Sequence, residues 1–360
     1  MPEKLTWKPD WEKAQQNFIQ WWNRQGMVLW ARMKRPAPRP GYPSPPAPQD
    51  WQIWWTDPLY RCQKAEYELA GLDFIADSYP CFDTQIGPGS LGTFLGSQPE
   101  FWPDTVWYNP CITQPEASPP IRFVPQDNRW WLVHLALVEE GLRRSEGRYL
   151  VGMPDLIENM DTLAALRGNT ELLTDLMERP GWVCEHLAEI NQAFFTAFDS
   201  IHARIQTPEG GNCFGAFSIW GPGKTAKVQC DFSAMISAHM FRQFVVPYLA
   251  EQCAWLDFSL YHLDGTTALH HLEALLEIEA LDAIEWTPQS GKEPGGSPVW
   301  FDLYRRIKAG GKSVQVIEVA PEQVVPLLDA IGPSGTYVML DRDLEPEQAE
   351  QLLKSVEPYR

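Results

Sequence analysis

A histidine and an aspartate stand two residues apart in the segment Tyr261-His262-Leu263-Asp264-Gly265. The segment follows a short apolar run, so we expect it to end a buried strand, where residues two apart point to the same side. Gly265 then allows the backbone to turn sharply. An imidazole beside a carboxylate at a strand end suits proton transfer or metal binding. The alternative is a polar pair that only hydrogen-bonds at the end of the strand.

Short apolar runs recur along the chain, and each is followed by a helical pattern. They predict eight strands, near residues 28, 74, 150, 216, 260, 284, 315 and 338. Strand–helix alternation of this kind, without hairpin turns, predicts an α/β fold of the (β/α)8 TIM-barrel type. A doubly wound sheet is the alternative, and it is disfavoured because no Gly-x-Gly-x-x-Gly follows an early strand.

The remaining stretches suggest how the barrel is extended. We expect a single domain over residues 1–360, with an N-terminal helix within 1–26. An irregular insertion rich in proline and glycine is expected over 78–131, after the second strand. A long irregular stretch in a compact domain is usually functional. This insertion is therefore expected to shape the substrate pocket.

The composition limits the classes of partner. The chain has 360 residues and a net charge of −18, which disfavours nucleic-acid binding because phosphates require clustered Lys and Arg. No apolar run reaches about 18 residues, so no membrane span is expected. The N-terminus lacks the pattern of a signal peptide. Seven cysteines without a Cys-x-x-Cys pair indicate reduced thiols, and hence a cytoplasmic protein. The oligomeric state is left open.

In a (β/α)8 barrel the active site is built at the C-terminal ends of the strands. Besides His262 and Asp264, the polar or aromatic residues expected there are Arg32, Lys34, Asp77, Asp155, Trp220, Glu285, Glu318 and Asp341. Carboxylates on neighbouring strand ends repel one another unless a cation or a shared proton neutralises them. The set therefore predicts a metal site, a cationic substrate or acid–base chemistry. Any one of these residues could instead be a capped or ion-paired strand end.

Several motifs together resemble one known family. They are Met27–Arg35, Phe74-Ile-Ala-Asp77 with Phe82-Asp83, Gly87-Pro-Gly89 with Asp104-Thr-Val-Trp107, Tyr261–Gly265, and the closing helix from Glu345 to Lys354. With these the chain resembles the uroporphyrinogen decarboxylase-like superfamily. That superfamily includes the decarboxylase of haem synthesis and methyltransferases that exchange methyl groups with corrinoid proteins. The resemblance implies the barrel fold, and it implies a catalytic role for Asp77 or Asp83.

Two motifs depart from the family pattern. The decarboxylase signature Arg-Gln-Ala-Gly-Arg-Tyr-Leu-Pro-Glu is replaced by Arg32-Met-Lys-Arg35-Pro-Ala-Pro. Thiol-specific methyltransferases of the family hold zinc with His-x-Cys-Gly and a later cysteine. Here the match is His262-Leu-Asp264-Gly, and no cysteine follows Cys253. A thiolate zinc site is therefore excluded, whereas a His/Asp/Glu site for zinc or another divalent metal stays open.

The resemblance implies two alternative activities. The favoured one is methyl transfer to or from a corrinoid carried by a partner protein. A metal would be held by His262 and Asp264 with Glu318 or Asp341, and it would activate a small-molecule substrate.

The alternative is a metal-free lyase, without a cofactor, that decarboxylates a carboxylated tetrapyrrole or a related compound. Asp83 or Asp77 would stabilise a protonated pyrrole, and Arg32 and Arg35 would hold carboxylates. Trp220 and Asp155 are expected to contact the substrate under either activity. A non-catalytic barrel used for binding or assembly is a third interpretation.

Overall fold

A sheet of seven strands forms the centre of the structure, a computed structural model that describes residues 5–360. The strands of the chain are β1 Met27–Lys34, β2 Leu72–Ala76, β3 Cys81–Phe82, β4 Gln98–Phe101, β5 Val106–Asn109, β6 Leu150–Val151, β7 Asn212–Phe214, β8 Ile219–Gly221, β9 Thr225–Gln229, β10 Phe258–Asp264, β11 Ala283–Thr287, β12 Ser313–Val319 and β13 Thr336–Leu340.

The central sheet has the order β2-β1-β13-β12-β11-β10-β9. The six strands β1, β13, β12, β11, β10 and β9 are parallel to one another. The seventh strand, β2, pairs antiparallel with β1 at one edge. Helices follow β10, β11, β12 and β13 as predicted, which is the arrangement of an α/β protein. The α/β class is therefore confirmed. Closure of the sheet into an eight-stranded barrel stays a prediction, because the ladder ends at β9 and β2.

The helices are α1 Trp11–Trp22, α2 Trp51–Thr56, α3 Pro58–Ala70, α4 Ser90–Phe94, α5 Arg129–Ser145, α6 Asn159–Arg167, α7 Asn169–Glu178, α8 Pro180–Ile205, α9 Ala238–Phe244, α10 Val246–Trp255, α11 Leu272–Leu276, α12 Phe301–Ala309, α13 Val324–Ile331 and α14 Pro346–Val356. Within residues 5–360, no helix combines the length and the apolar character needed to cross a bilayer.

The predicted second strand runs in the wrong direction for a barrel strand. It is β2, and its residues Leu72 and Ala76 pair antiparallel with Lys34 and Trp30 of β1. An antiparallel strand ends where its neighbour begins, so the residue after β2 lies at the N-terminal end of the sheet. The expectation that Asp77 stands at the C-terminal mouth is therefore wrong.

Hairpins also interrupt the predicted alternation. The hairpin β4–β5 lies inside the segment 78–131 that was expected to be irregular. The predicted fourth strand divides into β7 and β8, because the chain turns at Gly215 and at Ser218, whose φ of 52° is left-handed. On the side away from β11, the neighbour of β10 is β9, a strand that was not predicted.

The β7–β8 hairpin is held from four sides. The backbone carbonyls of residues 217–220 each accept a hydrogen bond from a different side chain: Gln315 Nε2 (2.7 Å), Tyr337 OH (2.8 Å), Tyr79 OH (2.7 Å) and Trp22 Nε1 (2.9 Å). These four side chains are buried. Satisfied polar groups of this kind fix one arrangement of the backbone, so residues 217–220 are held in one position.

Candidate active and metal-binding site

One row of polar side chains crosses five neighbouring strands. In the register of the sheet, His262 pairs with Gln229 of β9 and with Glu285 of β11; Glu285 pairs with Gln315 of β12, and Gln315 with Tyr337 of β13. Paired residues of a sheet share a face, so these side chains project to the same side. Burying polar groups is costly unless they are paired, which makes this row a candidate site.

His262 and Glu285 form the centre of the row. His262 Nδ1 lies 2.5 Å from Glu285 Oε2, and Thr287 Oγ1 donates to Glu285 Oε1 over 2.8 Å. Burial acts to lower the pKa of His262, but the adjacent Glu285 carboxylate outweighs it and raises the pKa. Burial raises the pKa of Glu285 although His262 opposes the shift. Because Nδ1 is engaged, Nε2 is the imidazole atom left for a ligand.

Asp231, His262 and Asp264 bring one ligand atom each to within 4.8 Å of one another. Asp231 begins the short turn after β9, and Asp264 is the last residue of β10. Two carboxylates and one imidazole suit zinc or another divalent metal. Glu285 stands behind His262 as the hydrogen-bonding partner that orients metal-binding histidines in many proteins. The residues present therefore fit a divalent metal.

Asp231 is oriented by a hydrogen-bonded network. Gln229 Nε2 donates to Asp231 Oδ2 (2.9 Å) and to Asp161 Oδ2 (3.0 Å). The backbone N–H groups of Asp231 and Phe232 donate to Asp161, each over 2.8 Å. Lys227 donates to Gln229 Oε1 and thereby fixes the orientation of the amide. Burial and the nearby Asp161 raise the pKa of Asp231 to about 6.

A second buried cluster lies beneath this network. Lys227 Nζ lies 2.8 Å from Asp155 Oδ1. Glu158 Oε1 accepts the N–H of Gln229 over 2.9 Å, but Glu158 Oε2 is buried without a partner. Burial raises the pKa of Glu158 to about 8, although Lys227 opposes the shift. An acid in this state can exchange a proton near neutral pH.

The backbone around Glu158 is strained. Ile157 has a φ of 40° and Asn159 a φ of 61°, so both neighbours of Glu158 adopt the left-handed conformation. This conformation is unfavourable for a β-branched residue such as Ile157. Strain of this kind is common at functional sites, where the surrounding structure holds it in place. Glu158 is therefore a strong candidate for a functional residue.

Sequence reasoning did not single out Lys227, Glu158, Asp161 or Asp231. A signal for two of them was present, because Lys227, Gln229 and Asp231 alternate as polar residues along one face of β9 and its end. The predicted fourth strand lay near residue 216 and the segment after it was assigned to a loop, so these side chains were not placed at the site.

A cavity of about 530 Å³ opens beside Asp231. Its walls are the β4–β5 hairpin on one side and α6 on the other, and Gln229, Asp231 and Phe232 close one end. The volume is in the range of small-molecule sites. Because Asp231 belongs to both the cavity and the group of three ligand atoms, a molecule in the cavity would adjoin a metal held there.

Asp77 lies at the opposite end of the strands and is fully buried. Its Oδ2 accepts the N–H of Leu29 over 2.8 Å, near the start of β1. Its Oδ1 accepts hydrogen bonds from Asn17 and Arg360, each over 2.6 Å. These contacts join α1, β1 and the last residue of the chain. They account for the aspartate as a stabilising residue, and it does not enter the proposed site.

The predicted substrate-binding arginines are ion-paired elsewhere. Arg32 Nε lies 2.7 Å from Asp343 Oδ1, and Arg35 pairs with Asp73. Trp220 is buried in the core, where its ring meets the ring of Trp11 edge-on at 5.4 Å. The structure does not bring any of these three side chains to the cavity beside Asp231.

The remaining predicted residues divide between the site and the surface. Asp155 joins the cluster of Lys227. Burial raises the pKa of Asp83, and the negative charge of Asp155 raises it further. Glu318 is exposed on β12, and Asp341 pairs with Arg342 over 2.8 Å. Among the described residues, the group of three ligand atoms includes neither Glu318 nor Asp341.

Comparison with known proteins finds a similar fold among solved structures. No family model matches the chain, and no curated protein matches it. Among solved structures, a methyltransferase from Methanosarcina mazei is similar, with a TM-score of 0.58 and 11% sequence identity. The match covers 86% of this chain and 88% of that chain. At this identity the likeness shows the fold alone, and it extends over most of both molecules.

Proposed function

We propose that the protein is an enzyme that transfers a methyl group at a divalent metal held by Asp231, His262 and Asp264. The observation that carries the proposal is the convergence of these three ligand atoms beside a cavity, with Glu285 behind His262. The shared fold with a methyltransferase supports the reaction class. Zinc accepts this donor set, and so do other divalent metals.

The residues around the metal have distinct roles in this proposal. A bound divalent metal would act as a Lewis acid that lowers the pKa of a substrate thiol or hydroxyl, or polarises the bond to a departing methyl group. Glu285 holds the Nδ1 proton of His262 and fixes the ring. Phe217 packs against that ring with centroids 4.8 Å apart and limits its rotation. Gln229 holds Asp231 in position.

The buried acids supply a place for the proton of the reaction. Activation of a thiol or hydroxyl releases a proton, whereas departure of an alkoxide consumes one. Glu158 has a pKa near 8 and therefore changes charge in the physiological range. Lys227 lies beside it and favours its charged form, whereas Asp155, which pairs with Lys227, opposes that form. We assign the cluster of Glu158, Lys227 and Asp155 to proton storage during turnover.

The partner and the family follow from the sequence resemblance. We propose that the chain is a member of the uroporphyrinogen decarboxylase-like superfamily, and that a corrinoid carried by a partner protein is the methyl donor or acceptor. The similarity to a methyltransferase is compatible with both statements. A small molecule would be the second substrate. A single domain and a cytoplasmic location stay predictions.

We also propose that the sheet closes into a (β/α)8 barrel. The short strands β3 and β6 are parallel, and Met153, just after β6, forms a parallel bridge to Phe214 of β7. Asn212 of β7 exchanges two hydrogen bonds of 2.9 Å with the backbone of Thr225, the first residue of β9. Side-chain and short backbone contacts therefore span the interval between β3 and β9.

A decarboxylase acting on a carboxylated tetrapyrrole has less support. Such a substrate carries several negative charges and requires cations. Arg32 and Arg35 are paired with Asp343 and Asp73. The nearest surroundings of His262 are acidic instead, because Asp231, Asp264 and Glu285 lie beside it.

Metal analysis of the purified full chain tests the proposal. We expect about one equivalent of a divalent metal by mass spectrometry of the elements, and its loss in Asp231→Asn and His262→Ala, because each removes a ligand. Asp341→Asn is the matched control, since this aspartate lies outside the group of three. A metal-free wild-type protein that binds no added zinc would overturn the metal site.

Activity is tested separately with free methylcobalamin and 2-mercaptoethanol as generic partners. We expect the zinc-loaded protein to accelerate demethylation of the corrinoid, followed by its absorbance, and His262→Ala to lose the acceleration. Equal rates with and without a metal-loaded protein would count against methyl transfer.

A further inference from the structure

We propose that residues 42–56 form a surface at which a second copy of this chain binds, with prolines of each copy packed against tryptophans of the other. The surface has two parts, which are residues 42–48, called the proline ridge, and the helix α2 over Trp51–Thr56. Neither part lines the cavity beside Asp231, and the inference holds with or without the proposed metal.

The proline ridge alternates between covered and exposed residues with a period of three. Proline occupies four of its seven positions, and the segment lies outside the helices and strands. Tyr42, Pro45 and Pro48 are half-buried, whereas the residues between them are exposed. A polyproline II helix has three residues per turn, so this pattern indicates such a helix with one face on the protein. Pro43 and Pro46 then lie one turn apart on its outer side.

Both ends of the proline ridge are attached to the body of the protein. At its start the ring of Tyr42 meets the ring of Trp7 edge-on at 5.2 Å, and the Tyr42 hydroxyl accepts a hydrogen bond from Arg148. After its end Asp50 accepts the N–H of Gln52 over 2.7 Å and thereby caps α2. A segment that is already fixed loses little conformational entropy when a partner binds it. The ridge is therefore prepared for binding.

The helix α2 presents more apolar surface than it covers. Four of its six residues are large and apolar, and all six keep part of their surface accessible. Trp51 is 41% exposed and Ile53 46% exposed. Trp55 is attached to the β4–β5 hairpin, because its Nε1 donates to the carbonyl of Trp102 over 2.8 Å. Exposed tryptophans of this kind are typical of residues that dominate the binding energy of protein interfaces.

The proline ridge and α2 offer the two halves of one kind of contact. Proteins that recognise polyproline II segments pack the prolines into grooves lined by aromatic rings. A two-fold symmetric dimer uses the same surface of both copies, so that surface must contain each half of every contact. Pro46 and Trp51 are five residues apart and both exposed, which meets this requirement. We therefore expect the ridge of one copy to lie against α2 of the other, twice per dimer.

Charge favours a second copy as the molecule that covers this surface. The net charge of −18 makes the acidic surfaces of two copies repel each other. Residues 42–56 contain one charged residue, Asp50, so a contact made here adds little to that repulsion. The core of a protein interface is depleted of charge in the same way. A nucleic acid or an anionic membrane would instead require Lys and Arg, which this segment does not contain.

Sedimentation velocity of the full chain over a range of concentrations tests the proposal. We expect a species of twice the chain mass, with a dissociation constant in the micromolar range, because a short ridge and one short helix form an interface at the small end of the known range. A chain that stays monomeric well above that range would overturn the proposal.

Two neutral substitutions locate the contact. Trp51→Ser removes a ring from α2, and Pro46→Ser removes a proline from the ridge. We expect each to weaken dimerisation by at least about tenfold, because both contacts of the symmetric dimer are lost together. Met177→Ser, which changes a more exposed apolar residue on α7, is the control and should leave dimerisation unchanged. A dimer that persists unchanged in both variants would show that the copies meet elsewhere and would refute the assignment.

Mixing the two variants tests whether prolines meet tryptophans. In a mixed dimer the intact ridge of the Trp51→Ser copy faces the intact α2 of the Pro46→Ser copy, so one of the two contacts is restored. We expect the mixture to associate more tightly than either variant alone. Association that is no tighter in the mixture would show that like parts meet like parts, and the proposed pairing would be wrong.

The salt dependence of the wild-type dimer tests the role of charge. Added salt screens the repulsion between two acidic copies but leaves apolar contacts in place. We therefore expect the dissociation constant to stay the same or to fall between about 0.05 M and about 0.5 M sodium chloride. A rise of about tenfold or more would indicate that charge pairs hold the copies together, which an interface at residues 42–56 cannot provide.

Discussion

Buried carboxylates stand at both ends of the central strands, and their surroundings differ. At the N-terminal end, Asp77 receives three hydrogen bonds, from Leu29, Asn17 and Arg360. At the C-terminal end, one oxygen of Glu158 has no partner, and burial raises the pKa of Glu158 to about 8. A fully satisfied carboxylate stabilises the fold, whereas an incompletely satisfied one is available to protons and ligands.

The largest effect is expected at the satisfied end. Asp77→Ala leaves Arg360 and the N–H of Leu29 without their partner, and breaking a buried pair of this kind costs about 3–5 kcal/mol. Urea denaturation of the variant and the wild type measures the difference, with Asp341→Ala as an exposed control. The comparison between the two ends fails if Asp77→Ala is as stable as the control, or if it loses metal while keeping its stability.

The pH dependence of stability in Glu158→Gln tests the C-terminal end of the strands, where one carboxylate oxygen has no partner. The pKa of Glu158 is raised from its ordinary value near 4.5 to about 8, so the folded state holds the proton more tightly than the unfolded state. Its contribution to stability is therefore complete below about pH 4.5 and is lost as pH rises towards 8, by a few kcal/mol. Glutamine stays neutral and removes this loss.

The measurement compares urea midpoints of Glu158→Gln and the wild type at pH 5 and pH 8. We expect the variant to gain stability relative to the wild type at pH 8. An identical difference at both pH values would show that Glu158 does not titrate in this interval. Glu347→Gln, which changes an exposed acid on α14, is the control.

The smallest effect is expected at Phe217, whose ring packs against His262 but supplies no ligand to the proposed metal. Phe217→Leu keeps an apolar side chain but loses the aromatic contact with His262. We expect zinc affinity to fall by about tenfold or less, the lower end for residues that orient a ligand, with little change in stability. Phe195→Leu, which loses an aromatic contact with Trp255 instead, is the control and should leave zinc affinity unchanged. Competition with a chromogenic chelator measures the affinity, and an unchanged value for Phe217→Leu would remove it from the site.

The parts of the fold that depend on local pattern could be predicted from the sequence. The strands β10 to β13 are buried apolar runs followed by helices, and each lies where it was expected. His262 and Asp264 were recognised because their spacing on a strand fixes their side. Asp231 was missed because it follows β9, whose residues were assigned to the loop after the predicted fourth strand.

The wrong predictions concern the direction of one strand and the pairing of residues that are far apart in the sequence. The apolar run around Phe74 was correctly read as a strand, but no local signal shows that it pairs antiparallel to β1. That reversal moves Asp77 from one end of the sheet to the other. The pairing of Arg32 with Asp343 joins residues more than three hundred positions apart, and neither local propensity nor spacing can reveal it.

The anchoring of residues 217–220 has a consequence for the order of assembly. The four donors belong to α1, to the segment before β3, to β12 and to β13, so they lie far from residues 217–220 in the sequence, on both sides. Contacts of such large sequence separation form late, because long loops must close before the contacts compensate for the lost entropy. We expect Phe217 to pack against His262 only after these distant segments have met. If the chain binds a metal as proposed, we expect tight binding to appear only late in refolding, so the uptake of zinc would report the completion of the native state.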